Sequence, residues 1–368
     1  MQLRRFAWML LVLVPFLAPM SAIGAEQQIA PTSNEGTWRA IVRSVSVSAP
    51  AEADPNTGAR RRLDLEFVEG PQRGRVVSTF YDLVSLEPGD AAFVRYLQTP
   101  DGGEIFAVEE PDRRGALAWL VALFVILVVI FGRAQGVRAL VSLAIGVAAI
   151  AMVLVPRIAA GASPVLWSTL VAIGVLALAL FLTHGVRRRA VAAFLGVSLT
   201  IIGTVLLAHM AVAATGLSGY ADETAFYLDI EAGGRLDLRG LLLAAIIIGV
   251  IGVLDDVAIT QAAAVEEIAS AGPSLTRREV YIRAMRVGRE HVGALVNTLV
   301  LAYTGAALPL LLLLRGAPVL QTLNREIVAV EIVRAIIGSI GVIVCVPITT
   351  AIATALLVRS AHFEHGRP

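Results

Sequence analysis

From residue 116 onward, the chain consists mainly of long apolar runs separated by short polar stretches. A helix needs about 20 predominantly apolar residues to cross the hydrocarbon core of a bilayer. Backbone polar groups in lipid must also be satisfied within the chain, so spanning runs of this kind predict α-helices. We predict seven spans, near 116–132, 138–155, 165–183, 190–214, 240–257, 292–314 and 335–358.

The composition supports this prediction and excludes two other classes of protein. Hydrophobic residues make up 57% of the 368 residues and charged residues 16%, against about 45–50% and about 25% in soluble domains. An ordinary soluble enzyme and a disordered chain are therefore excluded. The formal net charge is only +1, so we expect the lipid bilayer as a partner and no nucleic acid. Cys345 is the sole cysteine, so no intramolecular disulfide forms.

Residues 1–25 have the pattern of a secretory signal peptide. Arg4 and Arg5 precede the apolar stretch 6–18, and small residues lead up to Ala25. We predict cleavage after this segment, with a retained signal-anchor helix as the alternative. Either outcome exports the residues that follow.

Residues 26–115 predict a small all-β domain outside the cytoplasm. Charged and turn-forming residues are frequent here, and glycine and proline supply the dihedral angles that turns require. Short runs at this spacing fit a sandwich or a small barrel, and we predict an OB-like barrel. The five β-prone runs are 38–48, 62–68, 75–81, 91–97 and 104–108.

The arginines indicate the orientation of the spans, because cytoplasmic loops carry an excess of basic residues. If the N-terminal domain is exported, the arginine-rich segments 187–189 and 277–289 fall in the cytoplasm. The tail 359–368 then also lies in the cytoplasm. We therefore predict a protein of the cytoplasmic (plasma) membrane whose N-terminal domain faces outward.

Two adjacent aspartates, Asp255 and Asp256, end an otherwise apolar span. Asp255 lies about 21 Å along a helix that begins at Leu241, so both carboxylates fall in the inner third of the bilayer or at its cytoplasmic edge. A charged side chain at the bilayer centre costs about 2.5–3.5 kcal/mol and is a functional candidate by default. The alternative is that the pair ends the helix in cytosolic water.

Gln261 and Asn297 approach the membrane from the same predicted side, and we expect them to converge with Asp255 and Asp256 on one polar pocket. Such oxygen donors suit Na⁺, Mg²⁺, Ca²⁺ or a shared proton, and they do not distinguish among them. Asn297 has an alternative role in holding helices together. We expect no organic cofactor, and a bound cation is the one ligand that these residues suggest.

The segment 274–290 predicts an amphipathic helix. Thr276 and Glu279 fit a capping box at its start, and one side gathers apolar and small residues. Such a helix lies under the cytoplasmic leaflet, or alternatively serves as a charged connector between spans. The arginines of its polar side are Arg278, Arg283, Arg286 and Arg289.

Several short motifs resemble the YibE/F-like family of bacterial multi-spanning membrane proteins. The resemblance is strongest over 249–305 and extends across about 36–358, and it implies a helical membrane domain after an exported N-terminal domain. It assigns no catalytic residues. The motifs are GVLDDV (252–257), TQ (260–261), EEI (266–268), VGREH (287–291), NTLVLAY (297–303), GSIG (338–341) and VPI (346–348).

Two functions follow from these features. The first is a secondary transporter or permease for an ion or a small solute, with its site at Asp255 and Asp256. The second is a non-enzymatic envelope assembly or signalling factor whose β domain binds an envelope protein or a second copy of the chain. We expect no enzymatic activity, because adjacent residues on a helix point about 100° apart and share a proton poorly.

Overall fold

The computed structural model describes residues 36–47, 61–99, 101–221 and 223–358. The chain divides into two compact units, one within Val14–Phe131 and one that includes Gly132–Pro368. The predicted signal peptide, 1–25, and the predicted tail, 359–368, lie outside the described residues.

The first unit contains an antiparallel sheet of five strands in the order β3-β2-β1-β4-β5. The edge strands β3 and β5 approach each other, because Thr79 Oγ1 donates to the Phe106 carbonyl oxygen at 2.7 Å and Arg75 pairs with Glu104. The sheet is therefore a half-barrel, which confirms the predicted small β domain. Its strands are β1 (Gly36–Val47), β2 (Arg61–Phe67), β3 (Val76–Phe80), β4 (Ala91–Gln98) and β5 (Glu104–Pro111).

The core of this sheet follows the two-residue period of a strand. Leu63, Leu65 and Phe67 alternate along β2 and are buried, as are Val94 and Tyr96 on β4. Successive side chains point to opposite faces of a sheet, so these residues form one apolar face. The alternation that predicts the strands is thus the pattern that builds the core.

A turn after β2 offers a sharp test of this packing. Gly70 has φ of 82°, and a Cβ atom there would meet the Trp38 ring, with Nε1 at 2.5 Å. Gly74 has φ of 84° but no neighbour within 4 Å of the same position. We expect Gly70→Ala to destabilise the β domain by about 1–3 kcal/mol more than Gly74→Ala, since both incur backbone strain but only the first overlaps Trp38.

Hydrogen exchange of the strand amides in the full chain measures this difference. Faster exchange in Gly70→Ala than in Gly74→Ala is the expected result, and equal exchange in the two variants would contradict the packing of Trp38 on Gly70.

A long helix, α1, begins in the first unit and is interrupted at Arg133, whose φ of 48° and ψ of −133° are not helical. A π-helical segment, Ile150–Leu154, follows it. The helices are α1 (Arg114–Ala149), α2 (Val155–Ala159), α3 (Pro164–His184), α4 (Arg188–Thr215), α5 (Glu223–Glu231), α6 (Leu238–Ala271), α7 (Arg277–Ala306), α8 (Leu308–Leu313), α9 (Val319–Asn324) and α10 (Glu326–Leu357).

The second unit is a helical bundle in which α10 packs against α4, α6 and α7, and α6 also packs against α3 and α4. Its core is mainly apolar, with Leu176, Val197, Leu254 and Val342 among the fully buried residues. Small residues let the helices approach closely, as at Gly341, where a Cβ atom would lie 3.1 Å from Thr204 Oγ1.

Within the described residues, five helical stretches are long and apolar enough to cross a membrane. The predicted spans 116–132 and 138–155 fall in one of them, and 292–314 falls in none. Helix α7 ends at Ala306 and Pro309 lies in the first turn of α8, so 292–306 is about 22 Å long, shorter than the bilayer core of about 30 Å. The five stretches are Arg114–Ala159, Pro164–His184, Arg188–Thr215, Leu238–Ala271 and Glu326–Leu357.

The predicted amphipathic segment, 274–290, forms the beginning of α7 and is continuous with the rest of that helix. The capping box of Thr276 and Glu279 is present, and the Thr276 backbone N–H and then its hydroxyl hold the pKa of Glu279 below its usual value. The buried side of the helix, Val280, Ala284 and Gly288, packs against the bundle. The opposite side exposes Arg278, Arg283, Arg286 and Arg289.

Candidate functional site

Asp255 and Asp256 lie within α6, a helix of 34 residues whose first turn is capped by Asp237. The helix is otherwise apolar around them, and it buries Leu254 and Val257 on either side of the pair. Apolar packing against α3, α4 and α10 therefore holds this part of α6 in place. Asp255 is half-buried and Asp256 is exposed.

Both aspartates line a cavity of about 450 Å³ between α3, α6 and the part of α1 that follows Arg133. Most of its wall is aliphatic, which makes the few polar groups stand out. Asp255 Oδ1 is inaccessible to solvent and has no hydrogen-bond partner among the described residues. A buried carboxylate oxygen without a donor is costly, so the position favours a proton or a cation as its partner. The polar lining residues are Ser142, Thr183, His184, Asp255 and Asp256.

The end of α3 indicates the depth of this cavity. Helix α3 has 21 residues and is about 31 Å long, close to the thickness of the hydrocarbon core. Its last two residues, Thr183 and His184, line the cavity together with the two aspartates. The two aspartates therefore lie level with the end of α3.

His184 is a residue of this cavity that the sequence reasoning missed. It occupies the last position of a span, directly before Gly185, where a polar residue is ordinary. Only the packing of α3 against α6 brings its imidazole to the wall that carries Asp255 and Asp256. In the sequence, the only indication of a role for His184 was its position next to the end of a predicted span. Many histidines that face loops have the same position, so this indication is weak.

Gln261 lies elsewhere. Its side chain is 4% exposed, and its Nε2 donates to the Ala284 carbonyl oxygen at 2.9 Å and to Thr350 Oγ1 at 2.7 Å. It thus connects α6 with α7 and α10, and it lines a different cavity of about 330 Å³ with Glu290 and His291. Six steps of about 100° place Gln261 about 120° around the helix from Asp255.

Asn297 is exposed on α7 and is not among the residues that line the cavity of the aspartates. The expected convergence of all four side chains on one pocket is therefore not seen: Asp255 and Asp256 share a cavity, while Gln261 and Asn297 do not join them. The reason is the direction in which each side chain points around its helix axis. Residues at a similar level along two helices contact different neighbours when they lie on different sides of those helices.

The acidic residues that line the cavity are Asp255 and Asp256. Among the described residues, no group of three or more histidine, cysteine, aspartate or glutamate side chains is placed to hold a metal ion. The expected ligand of this site, a proton or a Na⁺, Mg²⁺ or Ca²⁺ ion, stays a prediction.

The comparisons with known proteins concern the helical part of the chain. The family model described as YibE/F-like protein matches residues 120–359. The match includes the cavity and every helix from α2 to α10, and it starts after the β domain, to which the expected resemblance also extended. No curated protein and no solved structure matches the chain. The chain belongs to the YibE/F-like family.

Proposed function

We propose that this protein is a secondary transporter or permease for an ion or a small solute, and that Asp255 is its proton- or cation-binding group. The observation that supports the proposal is the buried and unpartnered Asp255 Oδ1 on the wall of a cavity inside a bundle of apolar helices. Ionisable groups within a membrane domain mark ion and substrate pathways.

The proposed mechanism is a change of population between two states. Binding of a proton or a cation removes the uncompensated charge at Asp255 and favours the state in which the cavity is closed. Release on the other side of the membrane restores the charge and reopens the cavity. Asp256, which is more exposed, lies where it can attract the incoming cation toward Asp255.

The proposed topology has seven spans, a cleaved signal peptide, an exported OB-like β domain and a cytoplasmic C-terminus in a bacterial cytoplasmic membrane. Six of the spans come from the five long apolar stretches, one of which counts twice. The remaining span, 292–314, combines the end of α7 with α8, and its 22 positions up to Leu313 measure about 33 Å at the rise of a helix. The stretch Arg114–Ala159 supports two spans rather than one, because its 46 residues measure about 69 Å, more than twice the bilayer core. Its interruption at Arg133 separates the two. The arginines of α7 then lie in the cytoplasm, as the positive-inside bias requires.

Substitution of the aspartates tests the proposal. We expect Asp255→Asn to reduce flux of the coupled ion in proteoliposomes to background, because an amide cannot take up and release a proton. We expect the melting temperature of purified wild-type protein to rise with the coupled cation or with protons, since a ligand at about 100 times its Kd adds about 2.7 kcal/mol of stability. This response should vanish in Asp255→Asn and weaken in Asp256→Asn.

Glu267→Gln is the matched control. Glu267 is an exposed carboxylate on the same helix and does not line the cavity. Flux and melting response should be those of the wild type in this variant. Normal flux in Asp255→Asn would remove Asp255 from the mechanism. The same would follow if the melting temperatures of Asp255→Asn and Glu267→Gln responded equally to cations and to pH.

The β domain supports the second candidate, an envelope assembly or signalling factor. Phe80 at the end of edge strand β3 is 51% exposed and Leu83 in the following loop is 86% exposed, so this edge presents apolar side chains to a partner chain. Leu83→Asp separates the two functions. If this variant loses a co-purifying envelope protein but keeps normal flux, the result supports assembly as a separate role. If it keeps both the co-purifying protein and the flux, transport remains as the supported function.

A further inference from the structure

A second cavity, of about 610 Å³, lies where α4 begins and where α6 and α10 end. It is distinct from the cavity of Asp255, since the two share no lining residue. Arginine side chains form one part of its wall and aliphatic side chains another. The residues that matter here are Arg187, Arg188, Glu266, Leu275, Leu357 and Val358.

The charge of this cavity is positive. Arg187 and Arg188 are exposed, and neither guanidinium has a hydrogen-bond or ion-pair partner in the part of the chain that the structure describes. The wall includes the carboxylate of Glu266, which already accepts from Arg189 Nη1 at 3.3 Å. Within the described residues, two basic groups therefore remain uncompensated at this cavity.

In the described part of the chain, the neighbouring Arg277, unlike Arg187 and Arg188, is hydrogen-bonded to backbone carbonyl groups at the end of α10. Arg277 Nε donates to the Val358 carbonyl oxygen at 3.1 Å and Nη2 donates to the Ala355 carbonyl oxygen at 3.4 Å. Arginine commonly satisfies the last carbonyl groups of a helix in this way. Within residues 36–47, 61–99, 101–221 and 223–358, no carbonyl group pairs in this way with Arg187 or Arg188, so both guanidinium groups are available there to a ligand from outside the chain.

The level of the cavity is that of lipid headgroups. Helix α3 is about as long as the hydrocarbon core is thick, and it ends at His184. Arg187 follows three residues later, which places its side chain in the polar layer just beyond the core. Basic pockets between spanning helices at this level bind the headgroups of anionic lipids.

The aliphatic part of the wall favours a ligand that also has an apolar portion. Leu275 is half-buried and Val358 is buried, and with Leu357 they face the cavity beside the arginines. A guanidinium binds phosphate through two parallel hydrogen bonds. An amphiphile with a phosphate at one end and an acyl chain at the other satisfies both parts of the wall.

We propose that this cavity binds an anionic phospholipid, with its headgroup phosphate on Arg187 and Arg188 and its acyl chain along Leu275 and Leu357. The proposal does not depend on the transport proposal, because it rests on a different cavity. The lipid proposal predicts that acidic lipids stabilise the end of the bundle that is formed by α4, α6 and α10.

The test uses the purified full-length protein and its thermal melting in three additions: phosphatidylglycerol micelles, phosphatidylcholine micelles and inorganic phosphate. We expect phosphatidylglycerol alone to raise the melting temperature. In Arg187→Gln/Arg188→Gln the phosphatidylglycerol concentration for half the effect should rise about 30-fold, since each basic residue near a lipid surface contributes about 1 kcal/mol. Arg187→Lys/Arg188→Lys keeps the charge, so the phosphatidylglycerol concentration for half the effect should rise much less in this variant.

Arg283→Gln/Arg286→Gln is the control, because it removes the same charge from the exposed side of α7. It should respond to phosphatidylglycerol as the wild type does. An equal loss in the control, or an unchanged response in Arg187→Gln/Arg188→Gln, would overturn the site. Inorganic phosphate that reproduces the whole effect would overturn its assignment to a lipid. If the double glutamine variant does not fold, the phosphatidylglycerol concentration for half the effect should rise about fivefold in each single glutamine variant.

Discussion

Replacing Gly196 by alanine should destabilise the helical unit by about 1–3 kcal/mol, the range for overpacking a tight core. Gly196 lies in α4 against α10, and a Cβ atom there would be 2.9 Å from Thr349 Cα and 3.0 Å from Thr349 Cβ. The obstacle includes backbone, and Thr349 is 0% exposed, so neither helix can yield without moving away from the other.

Gly203→Ala is the matched control for Gly196→Ala. Gly203 lies in the same helix, is exposed and has nothing within 4 Å of a new Cβ atom. Alanine is favoured over glycine in a helix by about 1 kcal/mol, so this variant should be neutral or more stable. Thermal unfolding in detergent, followed by circular dichroism, measures both. The same shift in the two variants would contradict the close approach of α4 and α10 at Gly196.

Glu326→Ala should have the second large effect, a destabilisation of about 2–3 kcal/mol. The first residue of α10, Glu326, accepts at Oε1 from the Ser218 and Gly219 backbone N–H groups, both at 2.7 Å. Its Oε2 accepts from Ser218 Oγ at 2.8 Å. Hydrogen bonds to a charged acceptor contribute about 1.5–3 kcal/mol each and are not additive. Removing the carboxylate leaves half-buried donors unpaired and frees the turn after α4 from α10.

Two further variants separate this role from simple loss of charge. Glu326→Gln keeps a carbonyl oxygen for the backbone donors and should lose less than the alanine variant. Glu331→Ala removes a carboxylate of the same helix that forms an ion pair with Arg334 at 2.7 Å, and it should cost about 0.5 kcal/mol or less. Thermal melting gives the stability, and hydrogen exchange at residues 218 and 219 shows where it is lost. An effect of Glu331→Ala as large as that of Glu326→Ala would refute the specific role.

Much of the β domain was predictable because its signals are local. The alternation in Leu63, Leu65 and Phe67 and the turn at Gly70 need only a few neighbouring residues to be recognised. The strand order β3-β2-β1-β4-β5 was not predictable, because the pairing of β1 with β4 joins residues as far apart in the sequence as Thr37 and Arg95, which are 58 positions apart. Local patterns carry no information on which distant strand becomes the neighbour.

The candidate site was predictable only in part, for a similar reason. Asp255 and Asp256 are conspicuous as charges in an apolar run, whereas the partners of such charges depend on which sides the helices turn toward each other. Gln261 faces Thr350 and Ala284, away from the aspartates, and His184 faces their cavity instead. A rotation of about 100° per residue is enough to exchange one partner for another.

The sequence alone therefore determined that the chain has a small β domain followed by apolar helices, because solvent preference and backbone geometry act residue by residue along the chain. It also determined that Asp255 and Asp256 are exceptional, since charge in a long apolar run is costly wherever the helix lies. Only the tertiary structure decided that Asp255 Oδ1 has no hydrogen-bond partner among the described residues, that Gln261 joins helices and that Arg187 and Arg188 meet an aliphatic wall. These properties depend on the distances between helices, which side-chain packing sets after the helices have formed.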